Sequence, residues 1–387
     1  MKVNCYLRPD GQIGVRNHVV VIPTVICAAE IARKITAGVD GAVALGHTGG
    51  CTCETDIVRL EGVLAGLGAN PNVVGVLVLG LGCENCNSET VAQEIARLVP
   101  WKPLQRIVIQ DVGVSKSIEA GRKFIEQIAR SRGKWQREET DVAGLTLALE
   151  CGGSDATSGL AANPALGLAV DRLIDAGASA MFSETTEAIG ADHLLAERAV
   201  TPQVGRDIVE TVARAAKLMT DTLEPGEHFL TTGNINGGLT TLEEKSLGCI
   251  CKTGSRPIAE VVEYGHRPSR SGLVLVDGPG FDVPSITGMV AGGAQLVAFT
   301  TGRGSPVGYP IAPVIKITGN PDTYKKMHEV IDVNAATIVR GQQDLAEVAD
   351  VILRTVVETA GGKVTKSEAL GFADFSVSTI AGAHPGV

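Results

Sequence analysis

Ala143-Gly144-Leu145-Thr146-Leu147-Ala148-Leu149-Glu150-Cys151-Gly152-Gly153-Ser154-Asp155 is the stretch on which the fold turns. Residues 143–149 form an apolar run that reads as a strand, and the small residues of 156–167 can open a helix. A thiol, two glycines, a hydroxyl and a carboxylate therefore stand where a strand gives way to a helix. Paired glycines let the backbone approach a ligand closely, and the carboxyl ends of strands are where open α/β sheets bind ligands. An ordinary strand-to-helix turn with a structural cysteine would look the same, because free cysteine packs as a small hydrophobe.

Working outward, the same alternation repeats. Residues 19–23, 39–45, 73–81 and 107–111 are apolar strand-like runs, and 24–35, 57–67, 88–98 and 114–128 fit helices between and after them. Continuous rather than alternating apolar runs mark strands buried on both faces. Strand–helix alternation marks a parallel sheet with helices on both sides. Downstream, 165–176, 191–199, 204–219, 285–291, 322–328 and 345–359 read as helices, and 178–182, 272–277, 296–300 and 314–318 as strands. Residues 258–262 read as a short helical piece and 231–238 as an irregular loop. Thr240-Thr241 before an acidic turn signals a helix start. The tail 373–387 reads as a packed arm. The expected fold class is α/β, with two parallel-sheet, Rossmann-like domains. The charged stretch 130–140 marks their boundary, giving an N-terminal α/β domain over 1–135 and a catalytic α/β domain over 140–387.

A chain of 387 residues with 44% hydrophobic content can build a sizeable core. Its net charge of -9 and 3% aromatic content argue against nucleic acid as a partner. No apolar run approaches the roughly 20 residues of a membrane span, and Met1-Lys2-Val3-Asn4 does not open a secretory signal. A soluble, cytoplasmic chain is expected. Nine cysteines in that setting read as core residues, metal ligands or catalytic thiols.

Cys51, Cys83, Cys151 and Cys249 stand beside glycines and polar residues at strand exits or helix ends, the first, second and fourth with a second cysteine close by (Cys53, Cys86, Cys251). C-x-C and C-x-x-C spacings can hold zinc or an iron–sulfur cluster, but no pair repeats with zinc-ribbon spacing. Cys5 and Cys27 read as core. His47 precedes Cys51 by four residues in a glycine-rich loop and could share a metal with it, or simply start a helix. Lys245, within Glu243-Glu244-Lys245-Ser246, is either part of a solvated helix face or a desolvated base or anchor. Arg303, flanked by glycines, can fork onto a carboxylate.

Taken together, the chain resembles the altronate/galactarate dehydratase family of sugar-acid hydro-lyases. The resemblance is carried by Arg8-Pro9-Asp10-Gly11 with Gly14-Val15-Arg16-Asn17, His47-Thr48-Gly49-Gly50-Cys51, Gly82-Cys83-Glu84, Glu150 to Asp155 with Ala162-Asn163-Pro164-Ala165, Gly237 to Cys249, Thr287 to Ala294, and Phe299 to Ser305. It implies β-elimination of water from an altronate- or galactarate-like 2-hydroxy acid to a 2-keto-3-deoxy acid. It also implies iron(II), with a [4Fe–4S] cluster or Mn2+ as alternatives. Single-chain members carry an additional small SAF-type domain, so a separate small SAF subunit is expected here, within a homo-oligomer. The Cys51-Thr52-Cys53-Glu54 loop departs from the family's usual Cys-Gly. The large subunit of sulfolactate sulfo-lyase, which eliminates sulfite, is the alternative, and a sugar-acid binding or scaffold subunit is the non-enzymatic one. The expected metal ligands are His47, Cys51, Cys83, Cys151 and Cys249. Lys245, His47, Asp155 and Glu84 are expected in catalysis, and Arg16, Ser154, Asn163, Thr241 and Arg303 in substrate binding.

Overall fold

A computed structural model describes residues 1–222 and 230–378. The chain opens with β1 (Lys2–Leu7) and the short β2 (Ile13–Gly14), which pair antiparallel across a turn where Gly11 takes a φ of 83°. Four parallel strands follow: β3 (His18–Pro23), β4 (Ala42–Ala44), β5 (Val73–Gly80) and β6 (Leu104–Val108), in the spatial order β4-β3-β5-β6. Every residue of β5 is buried, as its unbroken run of valine, leucine and glycine requires for a strand covered on both faces. β7 (Glu138–Asp141) returns to pair antiparallel with β1.

The second parallel sheet has seven strands. These are β8 (Thr146–Cys151), β9 (Ser179–Phe182), β10 (Ile258–Glu263), β11 (Leu273–Asp277), β12 (Leu296–Thr300), β13 (Val314–Thr318) and β14 (Val333–Asn334). Their order is β10-β11-β9-β8-β12-β13-β14, so β8 is central. The α/β reading with parallel sheets is therefore what the chain adopts. One apolar cluster joins the two sheets, with Val20, Ile22 and Leu64 from the first side and Val274, Val276 and Met289 from the second. Each such buried side chain contributes about 1.5–3 kcal/mol. The helices Glu54–Ala69 and Asp282–Ala291 meet in this layer, so closely that a Cβ at Gly66 would lie 2.5 Å from the Ala291 carbonyl oxygen.

Local departures from the sequence reading have physical causes. Residues 258–262 form β10 and not a helix, because β-branched Ile258, Val261 and Val262 complete a ladder with β11. The strand expected at 107–111 ends at Val108, and Ile109–Val112 is a helical turn. The 231–238 loop contains the short helix Thr232–Asn236, closed by reciprocal hydrogen bonds between Thr231 and Asn234. The arm is present as far as it is described: Asp374 pairs with the Gly308 backbone and Phe375 packs edge-on against Tyr309. Residues 379–387 of that expectation lie outside the described residues. Among the described residues no helix is long and apolar enough to cross a membrane.

Arg16 closes this architecture. Its guanidinium donates to both oxygens of Glu368, at 2.7 and 2.8 Å, and to the carbonyls of Val15, Thr359 and Lys363. No donor is spare, so the expected role in substrate binding gives way to a clamp on the C-terminal segment. Burial opposes ionisation of Glu368, but hydrogen bonds from Arg16 and the Arg16 charge hold its carboxyl below the usual value. A depressed carboxyl contributes stability above its unfolded pKa of about 4.3 and loses it as pH falls through the folded value. Arg16→Ala is expected to cost about 2–3 kcal/mol near neutral pH. The gap between the thermal melts of variant and wild type should then narrow as pH falls below about 4.3, leaving the part carried by the hydrogen bonds to the Val15, Thr359 and Lys363 carbonyls. A gap that stays constant into acid would show that packing and not the ion pair carries the effect.

Candidate active site

The carboxyl ends of β8, β9, β11 and β12 surround a cavity of about 580 Å3 lined by Cys151, Gly152, Glu184, Glu187, Lys245 and Asp282, among others. β8 delivers Glu150 and Cys151 as its last residues. The turn after β9 delivers Glu184 and Glu187. Glu184 has a φ of 62°, which among the described residues no other non-glycine residue shares on the positive side. Such a backbone persists only where its surroundings over-determine it. The helix Leu242–Ile250 brings Lys245 and Cys249, and Lys252 follows in the next turn. Asp282 and Ser285 come from the first turn of the helix Asp282–Ala291.

Two groups of ligating atoms form there, each with its atoms within 4.8 Å of one another: Cys151, Glu187 and Cys249, and Glu150, Glu184 and Asp282. The Cys151 and Cys249 sulfurs are 3.7 Å apart, and the Ser154 hydroxyl is 3.0 Å from the Cys151 sulfur. The hydrogen bond from Cys249 is the main cause that lowers the Cys151 thiol to about 6. Burial opposes it, and the Lys252 charge and Ser154 assist. Cys249, as the donor in a buried pair, is held protonated. Glu187 sits between two ammonium groups, Lys245 at 3.1 Å and Lys252 at 3.1 Å. Burial disfavours its charge, yet Lys252 and Lys245 outweigh burial and bring its carboxyl down to about 2. The same pairing keeps Lys245 and Lys252 charged against their own burial. Of the two readings of Lys245 the structure shows the desolvated one, and its partner makes it a cation and not a base.

The second trio behaves oppositely. Burial pushes Glu150 up to about 8, and burial with the charges of Glu150 and Glu187 raises Glu184 strongly. Burial and the Glu187 and Cys151 charges raise Asp282 to about 6. Ser285 donates to one Glu150 oxygen at 2.6 Å, and the Glu184 carboxyl is hydrogen-bonded to the same group. Gly152 is required at the rim, since a Cβ there would lie 2.3 Å from Asp282 Oδ2. Gly152→Ala should displace that carboxylate and lower kcat/KM by about 100-fold, the usual consequence of misplacing a reacting group by an ångström. Steady-state kinetics on the folded variant would check this, and an unchanged kcat/KM would remove Asp282 from the chemistry.

The other expected residues divide sharply. Asn163 donates to the Cys151 sulfur and the Gly248 carbonyl and accepts from Thr300, so it orients the thiol. Asp155 accepts from Thr157, Ser158 and Asn320 and shapes the turn after Cys151. Thr241 caps the helix that carries Lys245 and Cys249. Arg303 is exposed beside Gly153, to which its backbone donates at 2.8 Å, and its guanidinium makes no ion pair among the described residues. His47, Cys51, Cys83 and Glu84 belong to the four-stranded sheet instead, and none joins either group of ligating atoms. His47 accepts from Gly49 N–H on Nδ1 and so donates from Nε2 to the Pro23 carbonyl, which leaves no nitrogen for a metal or a proton. Glu84 accepts from Thr24 and from the Leu81 and Gly82 amides and closes a turn. Glu150, Glu184, Glu187, Lys252 and Asp282 were not expected in the site.

The cysteine pair can be tested against the metal that the resemblance implies. Two thiolates on a tetrahedral ion with metal–sulfur bonds of about 2.3 Å stand about 3.8 Å apart. The 3.7 Å between Cys151 and Cys249 matches that spacing, and Glu187 adds an oxygen donor. Thiolate and carboxylate donors suit iron(II), so the residues present fit the group.

Two family models match the chain: "D-galactarate dehydratase/Altronate hydrolase, second domain" over residues 5–132, and "D-galactarate/Altronate dehydratase, C-terminal" over residues 142–382. The chain is 34% identical over 380 residues to the (2R)-sulfolactate sulfo-lyase subunit beta of Chromohalobacter salexigens, covering 97% of this chain and 96% of that one. It is 33% identical to the altronate dehydratase of Bacillus subtilis, covering 96% of this chain and 76% of that one. Against the galactarate dehydratase (L-threo-forming) of Escherichia coli it is 35% identical over 300 residues, covering 76% and 57%. The chain belongs to the D-galactarate/altronate dehydratase family.

Proposed function

We propose that the chain is a lyase that removes water from a polyhydroxy 2-hydroxy acid, leaving a 2-keto-3-deoxy acid. The observation that carries this is the cavity itself, where a paired thiol couple and Glu187 face two ammonium groups and a carboxylate poised near neutrality. Cys151, Cys249 and Glu187 would hold iron(II), which supplies a Lewis acid for the substrate's carboxylate and 2-hydroxyl oxygens. Lys245 spends one donor on Glu187 and offers the others to the same carboxylate. Asp282, raised towards neutral pH, takes the C2 proton on its carboxylate. Glu184, which lines the cavity and whose carboxyl burial raises well above the usual value, gives a proton to the departing C3 hydroxyl so that it leaves as water. The resulting enol then becomes the ketone. Arg303 at the rim takes the far end of the substrate.

Loss of sulfite in place of water is the second reading. It is favoured by coverage, because the chain spans 96% of the sulfo-lyase subunit beta but 76% of the Bacillus altronate dehydratase. A relative described as a subunit works with another chain, and a separate small subunit is proposed here as well. Anaerobic assays with iron(II) on aldonic, aldaric and sulfonated 2-hydroxy acids decide between them. A 2-keto product without sulfite supports dehydration, and sulfite release supports the alternative. No product from any of them, with and without a co-expressed small subunit, would overturn both.

A further inference from the structure

One wall of the Cys151 cavity carries none of the groups assigned to the reaction. It is made by Gly280, Phe281, Val283, Pro284, Val307 and Ser376. Of these six, only Ser376 has a side chain able to hydrogen-bond, and it comes from the arm that follows the helix Lys366–Ala369. The arm is fixed on both sides of it. Upstream, Lys316 donates to Ser367, and Arg16 holds Glu368. The Asp374 amide donates to the Gly308 carbonyl at 3.2 Å, and the Asp374 carboxylate accepts from the Gly308 amide at 3.0 Å. A Cβ at Gly308 would collide with the Phe372 carbonyl, so glycine lets the arm lie this close. Downstream, the Ser378 amide donates to the Tyr264 hydroxyl at 3.3 Å, which donates at 2.6 Å to the carbonyl of Pro284, in the first turn of the helix that carries Asp282. Phe375 and Val377 pack into the apolar cluster that joins the two sheets, while Ser376 between them lines the cavity. Among the described residues no hydrogen bond engages its hydroxyl. Thr231 and Asn234, the other hydroxyl and amide side chains of the lining, are spent on each other and on the Ser154 carbonyl.

From this placement we infer that Ser376 is a specificity-determining residue, whose hydroxyl hydrogen-bonds a hydroxyl of the substrate's carbon chain beyond C3. On the dehydration reading of the cavity, on which this role rests, the thiol pair, Glu187, Lys245, Asp282 and Glu184 occupy themselves with C1 to C3. The rest of a polyhydroxy acid then lies along the remaining wall. Phenylalanine, valine and proline recognise no hydroxyl, and Ser376 does. A site that offers a partner to a substrate hydroxyl discriminates against an analogue that lacks it. Such a partner works best when packing fixes it, as Phe375 and Val377 fix Ser376. A three-carbon acid carries no hydroxyl at that depth and gains nothing from Ser376.

The test uses the full chain with iron(II) and without oxygen, galactarate and altronate as six-carbon acids, and glycerate as the three-carbon one. Ser376→Ala should raise KM for the six-carbon acids by about 3–10-fold, the worth of one neutral hydrogen bond, with kcat and melting temperature unchanged. Ser376→Thr keeps a hydroxyl and should restore KM. Glycerate should not distinguish wild type from either variant. Dissociation constants of the same acids, measured by calorimetry, should shift by the same factor and do not depend on turnover. A wild type that binds a six-carbon acid more tightly than Ser376→Ala does, yet converts none, would overturn the dehydration and leave Ser376 its role. Turnover with the same KM in wild type and Ser376→Ala would overturn the role and leave the dehydration. So would a loss that Ser376→Thr does not restore, or one of equal size with glycerate. A wild type that neither binds nor converts any of the acids overturns both.

Discussion

Replacing Cys151 by serine is expected to lower turnover by more than about 100-fold, the loss typical of damage around a metal ligand, while leaving the fold in place. The sulfur touches Cys249, Ser154 and Asn163 at once. A serine hydroxyl is not ionised where this thiol, lowered to about 6, is. The variant therefore loses both the soft donor and the negative charge that faces Lys252. The structural cost is one polar contact, about 1 kcal/mol, which moves a domain of this size by roughly 2–4 °C. Cys251→Ser is the control. Its thiol is half-buried and bonds the Leu247 carbonyl at 3.2 Å, outside both groups of ligating atoms. Iron content and kcat should fall for Cys151→Ser and hold for Cys251→Ser. Equal activity in the two would remove the thiol pair from the reaction.

The fold was legible where side-chain pattern and pairing partner agree. β5 and β12 are unbroken apolar runs that leave no alternative to buried parallel strands. Legibility failed at edges. Residues 258–262 carry alanine and glutamate that suit a helix, and only the ladder with β11 makes them a strand. β1 and β7 are separated by more than a hundred residues, and their antiparallel pairing leaves no local signal.

The candidate site was legible as strand exits and not as a set of partners. Cys151, Cys249 and Lys245 stood out because thiols and a cation beside glycines are unusual. Lys252 did not, because a lysine after a cysteine looks like surface. Its meaning depends on Glu184 and Glu187, 68 and 65 residues away. Those glutamates flank two threonines at the end of β9, so the sequence shows them at a strand exit but gives no local sign that Lys252 reaches them. His47 and Arg16 show the converse. Both carry the right chemistry in the right kind of loop, yet backbone carbonyls and Glu368 already satisfy them.

Lys252 should carry the largest stability effect in the molecule. It is 2% exposed, with Nζ 3.2 Å from Glu184 and 3.1 Å from Glu187. Breaking a buried pair by removing one partner strands the other charge and costs about 3–5 kcal/mol, or roughly 10 °C of melting temperature at 2–4 °C per kcal/mol. Lys252→Met keeps the volume of the side chain and removes only the ammonium. Lys245→Met should cost less, because Lys245 is 17% exposed and water screens what it leaves behind. The double variant Lys252→Met/Glu187→Gln removes both charges of that pair and leaves Lys245, which is 17% exposed and screened by water, without its carboxylate; it should still recover part of the lost stability, with a coupling of about 0.5–3 kcal/mol, and remain inactive. A Lys252→Met protein that melts with wild type would mean that Glu187 is neutral in the folded state. A double variant no more stable than the single one would mean that packing around the lysine, and not its charge, holds this part of the cavity together.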